Sequence, residues 1–469
     1  MKKIKILILS LASSIGALGA DLDITPGSLE GLLDEATKNQ TELKLRGSID
    51  ARDLAALENL SSDIKTLDLS QVKITSLTMP TRTYFGRTLF NEDEIPPYAF
   101  FKSAVETLVL PANLFTVCDG AFAGSEIREI VIPDGVSSIG DYAFNDCKNL
   151  ERVTLPASLS SIGKGVFANC TALKDINLSS TKISSIPERA FSGAVMLENV
   201  SLPAAINSVG REAFSHTAIQ ELSLKNVAEF EPYALSGMPF LKALTINPAA
   251  TIADGLLMDN TSLASLSGVP DMVPDYFAAN CTEFNTQEGV TTASSLGRYS
   301  FANTKASKLM LLSPLSSIER GALAGLSNLT QIDVTDLGGA VPQVDENSFE
   351  GLVQPDIQLI VDDRNIDVWK NDPVWSLFKI TAADPSGMGG IEASNTTDIS
   401  VVRSGGYIVV SSPAPLTDVR VFTADGRIAF IGSPNDTRLE IPVDSLPNGV
   451  IIITASDADG DSISLSLLL

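Results

Sequence analysis

An aromatic or leucine landmark returns about every twenty-two residues through the middle of the chain, and such a period constrains architecture before any residue is read for chemistry. It stands at Phe100, Phe122, Phe144, Phe167, Phe191 and Phe214, in the phrases PYAF, DGAF, DYAF, KGVF, ERAF and REAF. Leu235, Leu257, Phe277, Phe301, Leu323 and Phe349 continue the series, so eleven intervals cover 249 residues at a mean near 22.6. A unit this short cannot bury its own apolar side, so copies must stack and share one core. A chain of 469 residues is too long for one compact core and suits such an array.

One unit shows the physics. Between Leu150 and Phe167, the stretch Arg152 to Leu155 alternates polar and apolar, which predicts a strand with Val153 and Leu155 inward and Arg152 and Thr154 outward. Pro156 cannot donate to a ladder and ends that strand. Leu159 and Ile162 return to the core from a second extended run, Gly163 turns the chain, and Phe167 fills the interior. The VxLP and LxxIG phrases predict strand on both faces of the coil and little helix.

The phrases IVIPDGVSSIGDYAFNDC, VTLPASLSSIGKGVFANC and VSLPAAINSVGREAF resemble the BspA-like leucine-rich repeats of bacterial surface proteins. The predicted fold is a β-rich leucine-rich-repeat solenoid of about twelve turns of roughly 22–23 residues. The resemblance covers roughly residues 91–380 and weakens between Leu235 and Leu323, where YAL, LLM and GAL replace the AF phrase and irregular turns are expected. Residues 21–90 are expected to form a small α/β N-terminal cap, with helices at Ser28–Lys38 and Ala51–Leu60 and strands at Leu43–Leu45 and Thr66–Leu69. Trp369 and Trp375 fall where this family closes its array, which implies a lid.

Residues 381–397 are rich in Gly, Ser, Ala and Thr and read as a linker. Short alternating runs separated by Asp425-Gly426, Asn448-Gly449 and Asp459-Gly460 follow, predicting an antiparallel β-sandwich over 398–469. This tail resembles the C-terminal sorting domain of the type IX secretion pathway. It departs from that pattern at Ile451, where an aromatic is usual, and in the absence of Lys or Arg from the last eight residues. At the other end, Lys2, Lys3 and Lys5 form a basic start, Ile4 to Leu11 begins an apolar run, and the small residues Gly16, Ala17, Gly19 and Ala20 follow. That order describes a secretory signal over residues 1–20, with a mature start near Asp21. No other stretch has the roughly twenty apolar residues a spanning helix needs, so no membrane insertion is expected.

Composition narrows the partners. With 33 basic against 57 acidic side chains the formal net charge is −24, which repels nucleic acid and anionic lipid. A single histidine, His216, leaves no histidine triad or multi-histidine zinc site, and there is no Walker A, GxSxG or HExxH phrase. Neither catalysis nor a cofactor is expected. Asp457, Asp459 and Asp461 partly imitate a calcium loop, but Leu468 stands where the closing glutamate belongs, so a hairpin turn is the simpler reading. Cys147 and Cys170 each follow a landmark by three residues in adjacent repeats. They are expected one turn apart, as a disulfide or as two buried thiols.

The candidate working surface is the row of outward strand positions: Thr107, Glu129, Arg152, Thr154, Asp175, Asn177, Asn199, Ser201, Glu221 and Ser223. Val109, Val131, Ala243 and Thr245 belong to the same row, which holds no aromatic. The resemblance implies a secreted or cell-surface interaction protein that binds a protein, such as a host matrix or surface protein, as an adhesin would. The alternative is a glycan-binding accessory protein of a surface polysaccharide-uptake system, which would need exposed aromatics.

Overall fold

The computed structural model describes residues 19–33, 40–60, 62–82, 84–383, 399–404, 407–423, 428–432, 436–446, 450–458 and 462–468. Most of the expected signal segment, the second half of the expected first cap helix, most of the expected linker and the centre of the calcium-like phrase therefore lie outside the described residues. The chain divides into two compact units. One runs to Leu359 and includes Asp367–Ile380; the other comprises Ile360–Ile366 and the chain from Thr381 onward.

The first unit is a solenoid of parallel strands. One row of three- and four-residue strands includes Thr107–Val109, Glu129–Val131, Arg152–Thr154, Asp175–Asn177, Asn199–Ser201 and Glu221–Leu224. A second row consists of two-residue strands such as Thr116–Val117, Ser138–Ile139 and Ser161–Ile162. With one exception, the turn that contains Thr286–Val290, each unit thus supplies strand to both faces. Register follows the repeat: Arg152 lies beside Glu129 and Ser161 beside Ser138. The long-strand row is broken into several sheets, whereas the short-strand row runs in three groups of four.

Landmark side chains make the core. Phe100, Phe122, Phe144, Phe167, Phe191 and Phe214 stack nearly parallel, with centroids 5.0 to 5.8 Å apart. From Phe122 to Phe214 the rings are fully buried. Three residues on, a small polar side chain answers an inward carbonyl of the preceding turn. The Cys147 thiol donates to the Phe122 carbonyl at 3.0 Å and the Cys170 thiol to that of Phe144 at 3.1 Å. The Cys281 thiol donates to the Leu257 carbonyl at 3.1 Å, and Asn260 fills the same slot by donating to that of Leu235 at 2.9 Å. All four cysteines are free and buried. Burial pushes the Cys147 thiol up to about 11 and the Cys281 thiol to about 12, so both stay protonated donors.

The expected irregular stretch contains a shift in the landmark. Phe277, read from sequence as the landmark, sits one place early, and Ala278 occupies the slot. The Ala278 amide bonds the Ser300 carbonyl as the Phe144 amide bonds that of Val166. Phe277 and Phe284 instead pack on Phe301 from two sides, at 6.1 Å each. In the same turn the helix Thr286–Val290 stands in the place of a long-row strand.

The N-terminal cap matches its expected elements, with longer strands at Glu42–Ile49 and Thr66–Ile74. The second helix is Ala51–Ala56, continued as 3-10 helix over Leu57–Asn59, whereas the first, expected over Ser28–Lys38, is Leu29–Leu32 and ends with its C-cap at Leu33, where the backbone leaves the helical region. Asp53 organises the cap. Its buried carboxylate accepts from the amides of Gly27, Leu29 and Asp50 at 2.7, 2.9 and 2.9 Å, closing a capping box on the second helix. Gly19–Ile24 forms a strand beside Glu42–Ile49, so the residues flanking the expected cleavage point already lie in the sheet. At the far end Trp369 and Trp375 are fully buried edge to face, and the Trp369 indole donates to the Gly338 carbonyl at 2.9 Å. The strand Lys379–Ala382 runs into the segment read as linker.

The second unit is antiparallel. Ser400–Ser404, Tyr407–Ser411 and Arg438–Pro442 form one sheet, and Ile428–Gly432, Leu416–Thr423, Val450–Asp457 and Ser462–Leu468 the other. Ile408, Val410 and Ile441 from the first share a buried cluster with Val419, Val421, Ile451 and Ile453 from the second, which makes it a sandwich. Asp457 ends a strand in this sandwich and accepts from the Ser412 hydroxyl.

Candidate binding surfaces

Alternation along each long-row strand turns one residue to the core and its neighbours to solvent, and Thr107–Val109, Glu129–Val131, Arg152–Thr154 and Asp175–Asn177 all follow it. All ten residues of the predicted row are exposed. The register brings Thr107 beside Glu129, Glu129 beside Arg152, and Asp175 with Asn177 beside Asn199 with Ser201. Arg152 pairs with Glu129 at 2.8 Å, and the Asn199 amide donates to Asp175 at 2.6 Å. Asp175 follows Arg152 by one turn but begins a separate sheet, and Glu221 begins a third beside Ala243. The row is therefore three stretches. Val109 and Val131 add an apolar spot to the first, Val131 being 64% exposed.

Immediately before these strands runs a column not read from sequence. It holds Lys65, Glu106, Arg128, Glu151, Lys174 and Glu198, alternating in sign, then Gln220 and Lys242. Glu106 meets Lys65 at 3.4 Å and Arg128 at 3.0 Å, and Arg128 meets Glu151 at 3.6 Å. The Arg128 guanidinium, with Lys65, holds the Glu106 carboxyl below its ordinary range. The sequence signal was present: from Lys65 to Glu198 each successive turn reverses charge at one fixed distance from the strand.

A second unread feature is a row of tyrosines. Five of the seven tyrosines in the chain, Tyr98, Tyr142, Tyr233, Tyr276 and Tyr299, share one corner of the turn, and all have positive φ. Most lie over a glycine of the following turn. A Cβ on Gly120, Gly165, Gly255 or Gly321 would fall within 2.5 Å of the ring of Tyr98, Tyr142, Tyr233 or Tyr299. Tyr98 is 52% exposed and Tyr142 43%. The chain is poor in aromatics overall, but its tyrosines are concentrated.

His216 is exposed at a turn position with φ 62°, its imidazole against Gly237. Among the described residues no cluster of His, Cys, Asp or Glu is arranged to hold a metal ion, and no helix is long and apolar enough to cross a membrane.

The model of the BspA type leucine-rich repeat region matches residues 93–192, 179–285 and 272–360, more than half of the chain. No curated protein matches. Among solved structures, a leucine-rich repeat protein from Bacteroides ovatus is similar at 21% identity and a TM-score of 0.57, covering 77% of this chain and 88% of that one. A leucine rich cell surface protein from Faecalibacterium prausnitzii is similar at 15% identity over 58% of this chain and 87% of its own, with a TM-score of 0.30. The pneumococcal vaccine antigen PcpA is similar at 15% identity over 77% and 83%, with a TM-score of 0.35. The extent of the family match and the stacked parallel turns identify this chain as a member of the BspA-type leucine-rich repeat family.

Proposed function

We propose that the protein is exported and works at the cell surface or beyond it as a non-enzymatic interaction protein, using the long-row sheets to bind a protein partner. The observation that carries this reading is the row of ten exposed side chains, of both charges, held on rigid strands. Extended surfaces of this kind are what stacked repeats provide. The N-terminal pattern at Lys2, Lys3, Lys5 and Ile4–Leu11 supports export, and the tail over 398–469 is the proposed sorting module.

The test is a screen of the purified mature chain against host matrix and surface proteins, followed by Glu129→Arg, Arg152→Glu and Asp175→Arg. Each reversal is expected to shift the affinity for the partner found by roughly 0.5–2 kcal/mol, because charge at a part-exposed interface is screened. Indifference to all three would move the partner off this row. Sequencing the secreted protein checks export, with a start near Asp21 expected, and deletion of 398–469 is expected to keep it inside the cell.

A further inference from the structure

A shallow groove crosses three turns on the short-strand side of the first unit, and its walls come from separate stretches of chain. Thr116, Ser138 and Ser161 line it with hydroxyls, Asp119 and Asp141 with carboxylates, and Arg87 closes one end. The floor is backbone. A Cβ on Gly140 or Gly163 would meet the amide nitrogen of Asp119 or Asp141 at 2.6 or 2.3 Å, so nothing larger than glycine lets these turns approach.

The polar groups are held in place rather than tethered. The Asp119 carboxylate accepts from the Asp141 amide at 2.9 Å, and that of Asp141 from the Lys164 amide at 2.8 Å, so one oxygen of each is fixed by the next turn. Arg87 arrives on an excursion between Ile74 and Asp93 that contains the hairpin Leu77–Thr78 with Leu89–Phe90. Its guanidinium bonds the buried Glu94 carboxylate at 3.0 Å, and Asn91 holds the other oxygen of Glu94 at 2.9 Å. Long excursions from a compact repeat commonly carry function. Tyr142 follows Asp141 directly in the chain, and the Tyr98 ring covers Gly120, directly after Asp119, so both tyrosines belong to the corner that adjoins the groove lining.

We propose that this groove binds a neutral oligosaccharide. A sugar presents hydroxyls that both donate and accept, together with an apolar face of C–H bonds. The groove answers with hydroxyls that do both, carboxylates that only accept and a guanidinium that only donates. The two exposed tyrosine rings of the adjoining corner suit the C–H face. Turns repeat at about 4.8 Å, so Tyr98 and Tyr142, two turns apart, are separated by roughly 10 Å, about the length of a disaccharide. Charge selects against polyanions: Arg87 is already paired with Glu94, two carboxylates line the groove, and the chain carries −24. The site and its ligand are independent of the protein partner proposed for the long-row sheets.

The experiment is calorimetric titration of the full mature chain with neutral hexasaccharides of β1,4-glucan, β1,3-glucan, β1,4-mannan and α1,4-glucan, and with a galacturonan hexasaccharide as the anionic comparison. At least one neutral hexasaccharide is expected to bind, and more tightly than galacturonan. Tyr142→Ala should weaken it roughly five- to tenfold, the loss of one aromatic contact. Ser161→Leu, at an exposed position with no core contact to lose, should block the groove and abolish binding with the melting curve unchanged. The proposal is overturned if no neutral hexasaccharide binds at millimolar concentration, if galacturonan binds most tightly, or if binding survives Ser161→Leu.

Discussion

From Phe100 to Phe214 six phenylalanine rings lie face to face down the core, whereas from Leu235 to Leu323 the same slot holds leucine, leucine, alanine, phenylalanine and leucine. At the slot and its corner the backbone hardly registers the change. Leu257 bonds its amide to the Phe277 carbonyl, and Phe301 to that of Ala322, just as Phe122 bonds to that of Ala143. Positive φ persists at Tyr233, Tyr276 and Tyr299 as at Tyr98 and Tyr142. What defines a turn is thus its hydrogen bonding and its corner geometry. Core volume is then supplied locally, by one ring per turn in the first half and, where Ala278 holds the slot, by Phe277 and Phe284 packed on Phe301.

The largest test of that contrast is truncation of the slot itself. Phe167→Ala removes a ring stacked on both sides and should cost roughly 3–5 kcal/mol, while Leu257→Ala should fall near 2–3 kcal/mol, by cavity formation. Urea unfolding of the two variants measures both. Equal losses would mean that the ring stack adds nothing beyond volume.

Glycine substitutions should erase the contrast. Gly163→Ala in the first half and Gly297→Ala in the second each place a Cβ against the backbone of the preceding turn, at 2.3 and 2.7 Å. Both should cost about 1–3 kcal/mol by overpacking. A tolerated Gly297→Ala would show that the second half has relaxed its backbone as well as its core.

The alternating charge column restores the contrast at the surface. Arg128→Glu would set three carboxylates in a row, Glu106, the new residue and Glu151, and should cost about 0.5–1 kcal/mol at low salt, falling as salt rises. Lys242→Glu, beside neutral Gln220, should change stability by no more than a few tenths of a kcal/mol. A salt-independent loss in Arg128→Glu would point to packing rather than charge.

The smallest expected effect is in pH. Glu106 titrates lower in the folded protein than in an unfolded chain, because Arg128 and Lys65 favour its charged form. Its contribution is therefore complete at neutral pH and is lost as pH falls from the ordinary carboxylate range through the lowered folded value. The stability gap between the native chain and Glu106→Gln should close over that window. A gap that stays constant into acid would remove the ion pairs from the account.

Much of this was legible in the residues. The period, the two strands per turn, the inward Val153 and Leu155 and the outward Arg152 and Thr154 follow from alternation and proline placement, both local properties. The tail strands were readable for the same reason. Phe277 stands out in the residues as the largest side chain of its phrase, but the register is kept by backbone bonds that no single residue announces, and these put Ala278 in the slot. The predicted binding row was legible as a set of exposed positions but not as three separate stretches, since the breaks depend on how strands pair.

What the sequence by itself determined is the repeating unit: its length, its core side and its need to stack, because each follows from chemistry within about twenty residues of chain. Only the tertiary structure decided which residues of different turns stand side by side. Lys65 lies beside Glu106 although 41 positions separate them, Tyr98 covers Gly120, and Arg87 reaches the groove edge from a hairpin outside the repeat. Unequal turn lengths and the excursion before Asp93 set those neighbours. The charge column and the groove exist only once the turns are stacked at strand spacing.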